Sequence, residues 1–357
     1  MFAFPRRCFY NVKGGMDSRE KNPEQSPEGI RIRALFQGGL GKIMKRYAFG
    51  IDIGGTSVKL GLFSIDGVLQ ESWEIPTRTE NSGENILPDI ARSVKEKLAE
   101  KEIDLEYLMG IGVGVPGPVL KESTVNTCVN LGWGVTNVAK ELQTLVGGNV
   151  PVKVGNDANV AALGEMWVGG GKGYKSIVMV TLGTGVGGGI ILNGKILGGA
   201  HGAGGEIGHM HVMDGEKIPC NCGNYGCFEQ YTSATGIVRR TREVLAAETR
   251  PTVLVDTPAL TAKDVFDAAK AGDAVANDVV EFFAEVLGKG LAVITATVDP
   301  EAIVIGGGVS RAGQIIIDRA RKYYLDYAFH ATRECVFKLA SVGNDAGMYG
   351  AVKMVLD

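Results

Sequence analysis

Short apolar runs broken by glycine turns, alternating with stretches of helical spacing, organise this chain from residue 47 onward. Residues 47–53 form one apolar run, Gly54-Gly55-Thr56 interrupts it, and 58–63 form a second. Two strand-length runs around a glycine turn predict a hairpin. Ile65-Asp66-Gly67 predicts another turn and 68–75 a third strand. Over 84–100, Ile86, Leu87, Ile90, Val94 and Leu98 fall at helical spacing. Residues 109–115 predict a buried strand that stops at Pro116-Gly117-Pro118. Residues 152–154 predict another strand, closed by Gly155-Asn156-Asp157 and followed by a helix over 158–167.

The pattern then restarts. Residues 176–182 predict a strand, Gly183-Thr184-Gly185 a turn and 187–192 the returning strand, with Asn193-Gly194 as a hairpin turn. Two strand–glycine turn–strand units, at Asp52 and at Thr184, suggest a duplicated α/β fold with one phosphate loop in each half. Residues 278–297 predict a long amphipathic helix, and 302–305 a buried strand opening onto Gly306-Gly307-Gly308. The closing helix, 346–356, carries Ala346, Gly347, Gly350 and Ala351, small enough for close packing.

Residues 1–43 differ. They are rich in charge, proline and glycine and lack sustained periodicity, so they read as a disordered extension, with Met44 the working start. Pro5, Arg6 and Arg7 break the opening too early for a secretory apolar core, and Asp17, Glu20, Glu24 and Glu28 argue against a transit peptide. No apolar run reaches the roughly 20 residues that span a bilayer. A cytoplasmic protein is expected. Its 357 residues suit two lobes rather than one core. A net charge of −3 offers no electrostatic footprint for nucleic acid.

Against only four histidines and six cysteines in all, His209, Cys220, Cys222 and Cys227 are concentrated in one short segment. Three thiolates and an imidazole make a closed tetrahedral ligand set for zinc, which leaves no open position and therefore points to a structural metal. The competing reading is a disulfide with a spare thiol, which a reducing compartment disfavours. Glu206, His209 and Glu229 lie inside or beside this knot, so a metal there would hold polar groups against a ligand.

Asp52 to Thr56, Gly117 after Pro116, Asn156-Asp157, Gly183 to Gly185 and Gly306 to Gly308 resemble, in order, the motifs of the sugar kinase, actin and Hsp70 superfamily. Gly205-Glu206-Ile207-Gly208-His209 with the three cysteines is similar to the ROK family of bacterial repressors and sugar kinases. The resemblance runs from about residue 47 to the C-terminus. It implies a two-lobed, actin-like ATPase fold of RNase H-like repeats with an inserted zinc knot. The lobes would be 44–157 and 158–342, with the metal loop at 209–227 and helix 343–357 packing back on the first lobe.

It also implies transfer of the ATP γ-phosphoryl group to the 6-hydroxyl of a hexose, glucose first, with N-acetylmannosamine, fructose and mannose as alternative acceptors. A sugar-responsive repressor is the reading from another class, but 1–43 has neither the length nor the periodicity of a helix-turn-helix domain. The resemblance makes Asp157 the general base, with an ordinary helix cap at Asn156-Asp157 as the bland alternative. Gly117, Asn130, Asn156, Glu206, His209 and Glu229 would contact the sugar. Asp52 would hold Mg²⁺, and Gly54, Gly55, Thr56, Thr184 and Gly185 the phosphates, with Lys59 either helping or merely solvated. Gly306, Gly307 and Gly308 would let the adenosine approach. A homodimer or homotetramer is expected, with sugar and ATP as the small-molecule partners. In the loop expected to cover the sugar, Cys128-Val129 stand where the family commonly has Ala-Pro, so a less stiff loop is expected, with Trp133 in register to close over the ring.

Overall fold

The computed structural model describes residues 44–357. The extension 1–43 and the reading of Met44 as the start lie outside the described residues. The first sheet comprises β1 (Tyr47–Ile53), β2 (Ser57–Ser64), β3 (Leu69–Pro76), β4 (Leu108–Val115) and, after the two-stranded ribbon β5 (Val119–Leu120) and β6 (Thr124–Val125), β7 (Val152–Asn156). The second comprises β8 (Ile177–Leu182), β9 (Val186–Leu192), β10 (Lys195–Ile196), β11 (Ala302–Gly306) and β12 (Val336–Leu339). Their orders are β3-β2-β1-β4-β7 and β10-β9-β8-β11-β12. In each, three antiparallel strands in sequence are extended by two parallel ones. The same topology twice is the duplication expected from the two glycine-turn units.

Strand position follows residue pattern. Central β1, β4 and β11 are nearly continuous apolar runs because helices cover both faces of a parallel sheet. Edge strand β3, LQESWEIP, alternates between half-buried and exposed positions with the two-residue period of a sheet whose second face meets water.

Around the first sheet lie α1 (Glu80–Gly83), α2 (Ile86–Glu100) and α3 (Val138–Val146). Helix α4 (Asp157–Val168) leaves the end of β7 and packs on β8 and β9 of the second sheet. The second sheet is further covered by α5 (Glu229–Thr232), α6 (Ala234–Leu245), α7 (Ala262–Lys270), α8 (Ala274–Val298) and α9 (Gln314–Tyr327). Helix α10 (Ala346–Leu356) returns to pack on β1 and β4.

Helices α4 and α10 therefore cross over between the sheets, and they touch each other where side chains are missing. A Cβ on Gly350 would stand 1.7 Å from the Val160 carbonyl oxygen, and one on Gly164 2.1 Å from that of Ala346. Gly112 likewise lets α10 sit on β4, since a Cβ there would meet the Ala351 carbonyl at 1.7 Å. The small residues noted in 346–356 are thus contact points of backbone on backbone. No helix among the described residues is long and apolar enough to cross a membrane.

Candidate active site and metal centre

Asn156 ends β7 and caps α4: its side chain accepts from the Asn159 N–H at 3.2 Å, while its Nδ2 donates to the Gly117 carbonyl at 3.2 Å. Asp157 is the first residue of α4, and its Oδ1 accepts from the Ala158 N–H at 2.8 Å. The cap of the bland alternative is present, but it is Asn156 that makes it. A second Asp157 oxygen remains for other work. Burial pushes the Asp157 carboxyl above the usual carboxylate range; the Ala158 N–H opposes this, and the charge of Glu206 adds to it.

Asp52, at the end of β1, faces the same space. Burial first, and then the Asp157 charge, push it up to about 6, against the pull of Lys59. A Cβ on Gly347 would stand 2.4 Å from an Asp52 oxygen, so the start of α10 is moulded to this carboxylate. The two aspartates line a cleft of about 670 Å³ together with Gly54, Lys59, Gly307 and Gly308. Gly307 has φ +84°, and a Cβ would meet the Leu182 backbone at 2.5 Å, so only glycine fits this turn after β11, against the end of β8. Gly306 lies just below it, buried at the end of β11.

The other expected phosphate residues sit at the tips of their turns. Gly55 and Thr56 are exposed between β1 and β2, and Thr184 is exposed between β8 and β9. Beside Thr184, Gly185 abuts Glu229, whose Oε2 would be 2.7 Å from a Cβ. Lys59 is partly exposed but not free: its Nζ donates to the Asn344 carbonyl at 3.0 Å and to Asp345 at 3.3 Å. Sequence reading missed Asn344, Asp345, Ser310 and Arg311 in this region, because residues some 250 to 286 positions from Lys59 carry no local signal.

Four of the six expected sugar contacts are joined in pairs. Asn156 holds Gly117, which has φ +95° and could bear a side chain only by driving it towards the Thr127 carbonyl at 2.8 Å. Glu206 is near enough for its charge to be felt at Asp157. His209 Nδ1 stands 3.7 Å from Glu229 Oε1. Asn130 is exposed on the short 3₁₀ turn Val129–Leu131.

The covering loop corrects two expectations. Cys128 and Trp133 exchange both backbone hydrogen bonds, at 2.9 and 3.0 Å, so the loop is tied without proline. Trp133 does not present its indole to the expected sugar residues; it is 6% exposed within the hydrophobic core beside the first sheet, and Nε1 donates to the Gly83 carbonyl at 3.2 Å.

The ligand atoms of His209, Cys220, Cys222 and Cys227 all lie within 4.8 Å of one another. Cys222 and Cys227 sulfurs are 3.7 Å apart, and Cys220 Sγ is 3.6 Å from His209 Nδ1. A tetrahedron with metal–sulfur bonds of about 2.3 Å has edges of about 3.8 Å; these two pairs stand near that spacing, and the four donors together spread no wider than 4.8 Å. All three cysteines are free thiols. His211 has both ring nitrogens engaged elsewhere, at 2.9 Å from the Tyr225 carbonyl and 3.0 Å from Asp214. Glu229 connects the knot to the rest of the site, with Oε1 2.9 Å from Cys220 Sγ and Oε2 accepting from the Val186 N–H at 3.4 Å.

A duplicated sheet, paired aspartates in the cleft and a Cys₃His cluster beside it are now in place. The profile of the ROK family matches residues 48–357. The chain belongs to the ROK family. Within that family it is 41% identical over 310 residues to a glucokinase of Halalkalibacterium halodurans, covering 85% of this chain and 93% of the relative. It is 31% identical to an N-acetylgalactosamine kinase of a Shewanella strain, covering 85% and 94%. The crystal structure of the ROK family glucokinase from Streptomyces griseus, in complex with glucose and AMPPNP, superposes with a TM-score of 0.65 at 30% identity, covering 86% of this chain and 98% of that one.

Proposed function

We propose that this ROK protein transfers the γ-phosphoryl group of ATP to the 6-hydroxyl of glucose. The observation that carries the reading is the position of Asp157. It opens α4 with one oxygen unspent, between the glycine-turn cleft of Asp52 and Gly307 on one side and Glu206 on the other. Its likeness to glucokinases, higher than to the N-acetylhexosamine kinases, supports the choice of sugar.

In this reading Asp157 accepts the proton of the sugar hydroxyl as that oxygen bonds to the γ-phosphorus. The bond from phosphorus to the bridging oxygen breaks, and ADP leaves. Phosphoryl transfer asks the protein mainly for alignment and charge stabilisation. The backbone amides of Gly54, Gly55 and Gly185 and the hydroxyls of Thr56 and Thr184 hold phosphate oxygens, while Gly306, Gly307 and Gly308 admit the adenosine. Gly117, Asn130, Asn156, Glu206, His209 and Glu229 bind the sugar. Asp52 is the residue placed to hold Mg²⁺, which when bound offsets phosphate charge. His209, Cys220, Cys222 and Cys227 would hold a structural zinc ion, which when bound would steady the backbone that bears His209 and Glu229. Lobes of 44–157 and 158–342, with 343–357 on the first, accommodate this division of labour.

Asp52 gives a pH prediction. Its folded pKa, about 6, exceeds its ordinary value of 3.8, so the folded protein retains a proton there that the unfolded chain releases. The stability this supplies is full below 3.8 and is lost as pH rises through 6. Above that, two facing carboxylates repel, and a divalent cation relieves them. Mg²⁺ should therefore raise the melting temperature at pH 7.5 and have little effect at pH 5. Equal shifts at the two pH values would remove Asp52 from the metal site.

Specificity follows from what faces the sugar. Glu206, Glu229 and His209 offer partners for hydroxyls, whereas an acetamido group left without partners would cost roughly 1–3 kcal/mol for each polar group. Glucose should exceed N-acetylmannosamine and N-acetylgalactosamine in kcat/KM by about tenfold or more. A second reading, an N-acetylhexosamine kinase, draws support from Trp133: its indole is withdrawn into the core and takes no volume from the sugar. A panel of hexoses and acetylated hexosamines, scored by ADP release, decides between the two. Equal values or a preference for an acetylated sugar would select the second.

A further inference from the structure

Glu165, on α4, has no exposure to solvent, yet among the described residues no cation pairs with it. Its partners are backbone amides. Oε2 accepts from Gly170 at 2.8 Å and from Ser341 at 3.0 Å, while Oε1 accepts from Ser341 at 3.1 Å and from Val342 at 2.8 Å. A buried carboxylate is costly unless hydrogen bonds of this kind satisfy it. Two of its donors belong to the strap 340–345 that joins β12 to α10, some 176 positions away in sequence.

That strap forms part of the cleft wall, where Ala340, Ser341, Gly343 and Asn344 line it together with Gly307 and Gly308. Its far end is held by Lys59 through Asn344 and Asp345. The glycine triplet after α4 belongs to the same device. A Cβ on Gly169 would stand 2.0 Å from Glu165 Oε2, and one on Gly170 would meet the Leu339 carbonyl at 2.3 Å. These glycines therefore enclose a carboxylate instead of cradling a phosphate.

We propose that Glu165 is a positioning residue that clamps the 340–345 strap against α4 and so shapes the nucleotide half of the cleft, on the same helix that presents Asp157. The proposal rests on the nucleotide reading of that cleft. In the clamp, one end of α4 carries the base and the other fixes the wall against which the nucleotide lies. Loosening it should therefore weaken nucleotide binding while leaving the sugar residues at the opposite side in place.

Glu165→Gln is the sharpest variant, because whichever way the amide turns, its NH₂ faces two N–H donors. KM for Mg·ATP should rise about tenfold or more with the sugar KM changed less than about twofold. Hydrogen exchange across 340–345 in the nucleotide-free protein should accelerate in the variant. Unchanged exchange in a folded variant, or equal increases in both KM values, would overturn the clamp. Gly169→Ala, which crowds the same carboxylate, should shift KM in the same direction.

If neither variant folds, exchange in the wild-type protein decides. The Ser341 and Val342 amides should be protected like those of the central strands, and loop-like exchange would overturn the proposal. The exchange measurements need no turnover. A wild-type protein that failed to use ATP would therefore sink the kinase reading while leaving the clamp to be judged separately.

Discussion

Asp157→Asn should keep the fold and the affinity for sugar and lose about 10²–10⁴-fold in kcat, the usual contribution of a general base. The substitution preserves shape, and the amide oxygen still accepts from Ala158, as Oδ1 does now at 2.8 Å. The helix start therefore survives, and Asn156 continues to cap it. What is lost is the free oxygen's ability to take a proton. Burial matters here as well. By lifting the Asp157 carboxyl above its ordinary range, it makes the carboxylate a stronger base than an exposed aspartate. The loss should therefore appear in kcat and not in sugar binding, which direct titration with glucose can measure independently. A variant retaining more than about a tenth of wild-type kcat would reduce Asp157 to a helix-start residue and require another base.

Cys222→Ser should abolish zinc retention, lower the melting temperature by about 5 °C or more and raise the sugar KM. Cys222 is the exposed cysteine of the cluster, and its sulfur is 3.7 Å from that of Cys227. Without a metal, burial favours the protonated form of the Cys220 and Cys227 thiols, leaving only weak hydrogen bonds to hold the donors together. His209 and Glu229 border the cluster directly, which is why its loss should reach the sugar. The checks are elemental analysis of protein purified without chelators, a thermal melt and the sugar KM. Wild-type protein free of zinc with all thiols titrating normally would remove the metal from the account.

Most of the frame was legible because it is written locally. Strand-length apolar runs and glycine turns set β1, β2, β8 and β9, and their repetition disclosed the duplication before the matching strand orders were seen. The site was legible for the same reason: Asp52, Asp157 and Gly307 sit at strand ends, beside turns that mark themselves in sequence. Helices α3, α6, α7 and α9, strand β12 and the shortest elements do not show in the sequence pattern; β12 is four residues long and takes its register from β11. Side-chain direction was also beyond reach. The register of Trp133 gave no sign that its indole would turn towards Gly83, nor could Lys59 reveal partners at Asn344 and Asp345. Glu165 looked like one more polar residue on a helix, because its donors arrive from the far end of the chain.

The central claim is phosphoryl transfer from ATP to a hexose hydroxyl, and phosphorus NMR of the purified protein with Mg·ATP and glucose tests it most directly. The account predicts that the γ-phosphate resonance declines as a phosphomonoester resonance grows in equal amount, coupled to the methylene protons at carbon 6. Inorganic phosphate in place of the ester, or no change with any hexose, would contradict it.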